Sequence, residues 1–96
     1  MKILALESDV PGSAHPAADY LLQEEARRVW EFQQAGTLRE IYFREDSPQA
    51  VLILEVASHG EARAMIESLP LVKAGLTRFE IIPLRPYPGL ARLFAR

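Results

Sequence analysis

Apolar residues along this chain recur at two spacings, and the order in which the spacings alternate predicts the fold. From Lys2 to Glu7 the period is two, with Ile3 and Ala5 on one side and Leu4 and Leu6 on the other, which describes a strand with two apolar faces. Pro11-Gly12 ends it, and Ser13 to Pro16 reads as a loop. A helical period runs from Asp19 to about Ala35, where Gly36 supplies the C-terminal stop. Thr37 to Arg44 is β-branched and aromatic enough for a strand, and Glu45-Asp46-Ser47-Pro48 is a turn. The returning arm, Gln49 to Ala57, contains the near-continuous apolar run AVLILEVA, which suits a strand covered on both faces. Ser58 and Glu61 have the spacing of a capping box, so a second helix begins there. It carries Ala62, Met65, Ile66 and Leu69 at helical spacing and breaks at Pro70; Gly75 then leads to a last strand from about Leu76 to Leu84.

Strand, helix, hairpin, helix, strand is the βαββαβ order of a ferredoxin-like α+β fold, in which two helices cover one face of a four-stranded antiparallel sheet. One domain accounts for all of residues 1–96. The uncovered face has apolar residues of its own. The third strand sets Leu52, Leu54 and Val56 against Val51 and Ile53, and the last sets Phe79 and Ile81 against Ile82 and Leu84. A contiguous apolar sheet face is rarely left in water, so the pattern predicts a homodimer paired through that face and able to assemble further. The competing arrangement is a monomer whose tail folds over the sheet. That tail, 85–96, ends in Leu90, Leu93 and Phe94 and is expected to pack or to clasp a partner subunit.

Composition narrows the function more than it names it. A net charge of −2 with scattered arginines argues against nucleic acid. The chain has no cysteine, which removes disulfides, thiolate catalysis and zinc-thiolate sites and is compatible with a reducing compartment. The short apolar run before Glu7 predicts neither a signal peptide nor a membrane span. The expected location is therefore the cytoplasm. His15 and His59 have no metal-ligand spacing, and there is no Gly-rich phosphate loop or nucleophile elbow. Neither a metal nor a cofactor is expected.

The most informative anomaly is Glu25. A projection at about 100° per residue places it inside the apolar arc with Leu21, Leu22, Val29 and Phe32, while Glu24, Arg27, Arg28 and Glu31 occupy the solvated arc. Apolar walls disfavour a charged carboxylate and raise its pKa towards the range useful to a general acid or base. The plainer reading is an edge residue reaching water or an arginine. Glu55 and Glu80 share strand faces with apolar residues, Arg39, Arg44 and Arg78 are available as counter-ions, and Tyr42, Phe43 and Trp30 can form an aromatic wall for a flat ligand. Each of these has an ordinary packing role as its alternative.

The runs EEARRVWEFQQAGTLREIYFR and SLPLVKAGLTRFEIIPLRPYP resemble muconolactone isomerase-like proteins and, more loosely, YCII-related proteins. The helix-borne histidine typical of the YCII-related branch has no counterpart near Glu25. The resemblance implies a dimeric α/β barrel with a pocket between sheet and helices, and a glutamate at the interval that separates Glu25 from Gly36. It implies a cofactor-free acid-base isomerase acting on a small apolar carbonyl or lactone compound. Glu25 would shuttle the proton, Arg39 or Arg78 would hold an anionic group, and Tyr42, Glu55 and Trp30 would complete the substrate site. The alternative is a non-catalytic dimeric domain that binds a small metabolite or serves as an accessory.

Overall fold

The computed structural model describes residues 1–13 and 16–95. The elements follow the expected order: β1 (Lys2–Asp9), α1 (Asp19–Ala35), β2 (Leu38–Phe43), β3 (Ala50–Glu55), α2 (His59–Glu67), α3 (Pro70–Lys73) and β4 (Thr77–Leu84), then a 3-10 turn at Gly89–Leu93. The strands form one antiparallel sheet in the order β2-β3-β1-β4. This is the ferredoxin-like α+β arrangement, with β1 at its centre.

Strand parity sorts the two faces. Ile3 pairs with Leu54 and Ala5 with both Leu52 and Ile81. On the helix side, Ile3, Ala5, Leu38, Leu52, Leu54 and Val56 are buried with Ala62, Ile66 and Leu69 of the chain's second half. On the other side Leu4 sits between Ile53 and Ile82, and Leu6 lies beside Val51. These remain half-buried because no element among the described residues covers them.

Local chemistry accounts for the element ends. Gly36 closes α1 in the left-handed conformation, φ 80°, which only glycine adopts without strain. Ser58 Oγ accepts from the Glu61 amide, and the Glu61 carboxylate reaches back to the Ala57 amide, one residue before the cap. Pro70 does more than break the second helix. Its fixed φ and missing N–H suit a first helical position, so it also opens α3. In β2 the register shifts between Leu38 and Glu40, a bulge centred on Arg39.

The tail runs clear of the sheet. Leu90, Leu93 and Phe94 are 63%, 77% and 82% exposed. Among the tail's described residues only Gly89 is buried, against the Tyr87 ring, where a Cβ would collide with the aromatic carbons. A tail folded over its own sheet is thus absent among the described residues. His15 and Arg96 lie outside them.

Candidate functional site

A cavity of about 750 Å3 opens between the N-terminal half of α1, α3 and the sheet. Its walls are largely apolar, with Leu22 and Ala26 from α1, Leu71 from α3, and Ala50, Leu52 and Phe79 from the strands. A concave, mostly apolar space with a few convergent polar groups is the usual form of a small-molecule site. Among the described residues, four polar side chains line this one: Glu7, Asp9, Glu25 and Thr77.

Glu25 is half-buried on the cavity-facing side of α1. Its Oε1 accepts from the Leu71 amide at 3.0 Å. That amide is one of the free donors at the start of α3, where Leu69 offers no side-chain cap. The carboxylate therefore does a capping residue's task from another helix. Burial raises the Glu25 pKa above the ordinary carboxylate value; the Leu71 amide opposes the rise, and the nearby charge of Glu7 adds to it. Glu7 comes from β1, and its Oε1 accepts from the Ala50 amide at 2.9 Å. Thr77, opposite Asp9 in the β1–β4 ladder, is 4% exposed. Its Oγ1 is buried with no hydrogen-bond partner.

Of the six residues proposed from sequence, the structure brings Glu25 alone to this cavity. Arg39 lies at the bulge of an edge strand, where its Nε donates to the Gly36 carbonyl at 2.6 Å. Tyr42 stands on the uncovered face, 57% exposed, with its hydroxyl donating to Glu40 at 2.6 Å. That bond and the Glu40 charge raise the Tyr42 pKa. Glu55 meets the Met1 ammonium at 2.8 Å, and this hydrogen bond is the main cause of its lowered pKa. Arg78 is exposed opposite Ser8, and Glu80, opposite Leu6, shares its face. Trp30 is 59% exposed on α1. Of the proposed aromatic wall only Phe43 lines the cavity, at its exposed rim. Arg44 is engaged with Asp46 at 2.7 Å.

Sequence reasoning missed Glu7, Asp9 and Thr77. The signal for Glu7 was parity, since it continues the Ile3, Ala5 series onto the helix side, but ending the strand at Glu7 made it read as a boundary. Thr77 likewise shares parity with Phe79 and Ile81. Among the described residues no cluster of three or more His, Asp or Glu side chains can hold a metal ion, and no helix is long and apolar enough to cross a membrane.

Fold and site together define a small ferredoxin-like α+β protein with a carboxylate-bearing cavity under its first helix. The sequence matches the profile of the muconolactone delta-isomerase family over residues 5–89, and the chain belongs to that family. Among solved structures it is similar to a muconolactone isomerase, with 18% identity, 92% of each chain covered and a TM-score of 0.75. It is also similar to 5-chloro-2-hydroxyhydroquinone dehydrochlorinase from Burkholderia phenoliruptrix AC1100, solved in complex with 2,5-dihydroxybenzoquinone. There the identity is 19%, the coverage 93% of this chain and 98% of the other, and the TM-score 0.65. At these identities the likeness is one of fold. A search of curated proteins finds no significant match.

Proposed function

We propose that this protein is an acid-base enzyme that moves a proton within a small carbonyl or lactone compound, with Glu25 as the shuttle. The observation that carries the reading is the Glu25 carboxylate on the cavity wall, held in place by the Leu71 amide and made more basic by burial. As a base it removes a proton from the carbon next to a carbonyl, and the C–H electron pair passes into an enolate. The protonated carboxyl, after exchange of its proton with solvent, then delivers a proton to another carbon of the conjugated system, and the double bond shifts. No atom is gained or lost, and the carboxylate is regenerated. A raised pKa narrows the gap between the catalytic acid and the carbon acid, which is what efficient proton transfer needs. Family membership supports an isomerase, and both structural neighbours are named for reactions on small organic molecules.

The test is solvent-deuterium incorporation into small enol-lactones, followed by NMR. Wild type is expected to label and isomerise a substrate of this class, and Glu25→Gln to keep the fold and lose both activities. The amide preserves shape but cannot accept the proton. Undiminished turnover in Glu25→Gln would refute the role.

The same reading takes the uncovered sheet face as a homodimer surface. Leu4, Leu6, Val51, Ile53 and Ile82 form its apolar patch, and an isologous pair of such faces closes a barrel. Tyr42, Glu55 and Arg78 then belong to the subunit interface instead of the substrate cavity. Sedimentation at micromolar concentration is expected to give a dimer, and a stable folded monomer would overturn this part. The lack of cysteine supports a cytoplasmic location.

A further inference from the structure

Arg28 reads from sequence as one of the solvated charges of α1, yet the structure gives it a partner on another helix. Its Nε donates to Ser68 Oγ, the cap residue at the end of α2, at 3.3 Å. The Ser68 hydroxyl commits its own proton to the Met65 carbonyl at 2.6 Å, which leaves its lone pairs to accept from the arginine. The guanidinium is steadied on two further sides, 4.4 Å from the centroid of the Phe32 ring and 3.3 Å from Glu31. Glu25 stands three residues before Arg28, and the Leu71 amide three residues after Ser68. The contacts 28 to 68 and 25 to 71 therefore run antiparallel, like two rungs between α1 and one short segment. That segment is the fixed side. Leu69 is 1% exposed in the core, and Pro70 sets its own φ while restricting the residue before it. The helix is the movable side, because it has no fully buried residue to set its place along the segment.

We infer that Arg28 is a positioning residue: by gripping Ser68 it fixes α1 against the 68–71 segment, and so keeps the Glu25 carboxylate on the Leu71 amide and at the cavity wall. Arg28 is not part of the described cavity lining, so it acts through Glu25 and not on a ligand. Phe32, on which the guanidinium stacks, belongs to the packed end of α1. The arginine thus ties the packed turns of the helix to the turn that carries the carboxylate. Its exposed pairing with Glu31 adds little stability. The contribution is geometric, since a reacting group displaced by about 1 Å can lose about a hundredfold in rate. The consequence for rate rests on the proposed reading of Glu25 as the proton shuttle, and the consequence for the Leu71 amide does not.

Four variants of the full chain test it. Ser68→Ala removes the acceptor without changing any charge, Arg28→Met removes the donor, Ser68→Thr restores a hydroxyl, and Glu31→Gln removes the other partner of the guanidinium. Native-state hydrogen exchange reads the Leu71 amide, whose acceptor among the described residues is Glu25, against the Glu55 amide, which bonds the Thr37 carbonyl in the sheet. Relative to Glu55, Leu71 is expected to exchange roughly three- to tenfold faster in Ser68→Ala and Arg28→Met, the range of one hydrogen bond. Ser68→Thr and Glu31→Gln are expected to keep the wild-type ratio. Isomerisation of α-angelica lactone, a small enol-lactone, gives the second readout: Ser68→Ala is expected to lower kcat about tenfold and to leave KM within about twofold. A Leu71 rate that rises no more than that of Glu55, or a rise that Glu31→Gln reproduces, overturns the inference. Faster Leu71 exchange with kcat unchanged overturns it as well, since the carboxylate then works without the contact. If wild type does not turn over the lactone, the acid-base reading fails by itself, and the exchange ratio still decides whether Arg28 keeps Glu25 in place.

Discussion

The two ends of α1 rest on one sheet, and they meet it in opposite ways. Towards its C-terminus, Val29 and Phe32 interlock with Leu38, Leu54, Met65 and Ile66, leaving a void of only about 10 Å3. Towards its N-terminus, Leu22, Glu25 and Ala26 look onto about 750 Å3. Val29, Leu52 and Leu69 line both spaces and form the partition between them. Side-chain size makes the difference. Leucine and phenylalanine line both ends, but the open end alone also has the short side chains of Ala26, Ala50 and Thr77, which leave it short of volume. No residue of α1 is fully buried, so the helix is held by one end and spans the cavity with the other. Stability and ligand space are thereby assigned to separate turns of a single element.

The strongest way to break this contrast is to charge the closed end. Leu54→Asp buries an unpaired carboxylate at a fully enclosed position; the cost is several kcal/mol, comparable to the whole stability of a domain this size. Loss of the circular dichroism signal is expected. The neighbouring Ile53→Asp points to the uncovered face and is expected to leave a folded chain that sediments as a monomer. A matched pair of enlargements sharpens the contrast further. Ala62→Leu, at a fully buried site on α2, overpacks the core by about 1–3 kcal/mol, a fall in melting temperature of roughly 4–8 °C per kcal/mol. Ala50→Leu grows into the open end, so it is expected to shift melting far less. Equal losses from the two substitutions would mean that the cavity is not space the side chain can use.

The smallest expected effect is a pH dependence. The Glu25 pKa is raised on folding, so the native state binds the proton more tightly than the unfolded chain. Its contribution to stability is complete below the unfolded value, near 4.5, and is lost as pH rises through the higher native value. Glu25→Gln is therefore expected to gain stability relative to wild type as pH climbs from about 4 to 7. Urea midpoints at several pH values measure this. A constant difference between the two proteins would show that Glu25 titrates normally.

How much of this was legible in the sequence depended on the range of the interaction. Gly36, the Ser58 and Glu61 pair and the alternation of β3 are local signals, and α1 begins and ends where its spacing predicted. Glu25 was legible for the same reason, because its exception to the apolar arc is visible within one helix. Its partner was not, since the Leu71 amide lies 46 residues away and becomes available only through the way Pro70 opens α3. Arg39, Tyr42, Glu55 and Arg78 were grouped by residue type, and type does not say on which side of a sheet a side chain stands. Register decides that, and in β2 a bulge shifts it. Parity could place Thr77 on the helix side, but not show that its hydroxyl lacks a partner, because that is a property of its surroundings.

The central place of β1 in the sheet also sets an order in time. Lys2 to Asp9 pair with Thr77 to Leu84 on one side and with the hairpin arm 51–55 on the other. At about 5–20 residues per second, a ribosome makes the first strand roughly 4–15 s before it makes the last. Through that interval KILAL has no β4 to pair with, and its apolar side chains are open to chaperones and to other nascent chains. The sheet can close only once Leu84 has been made, so the domain is built to fold as a whole, after its central strand has waited for both neighbours.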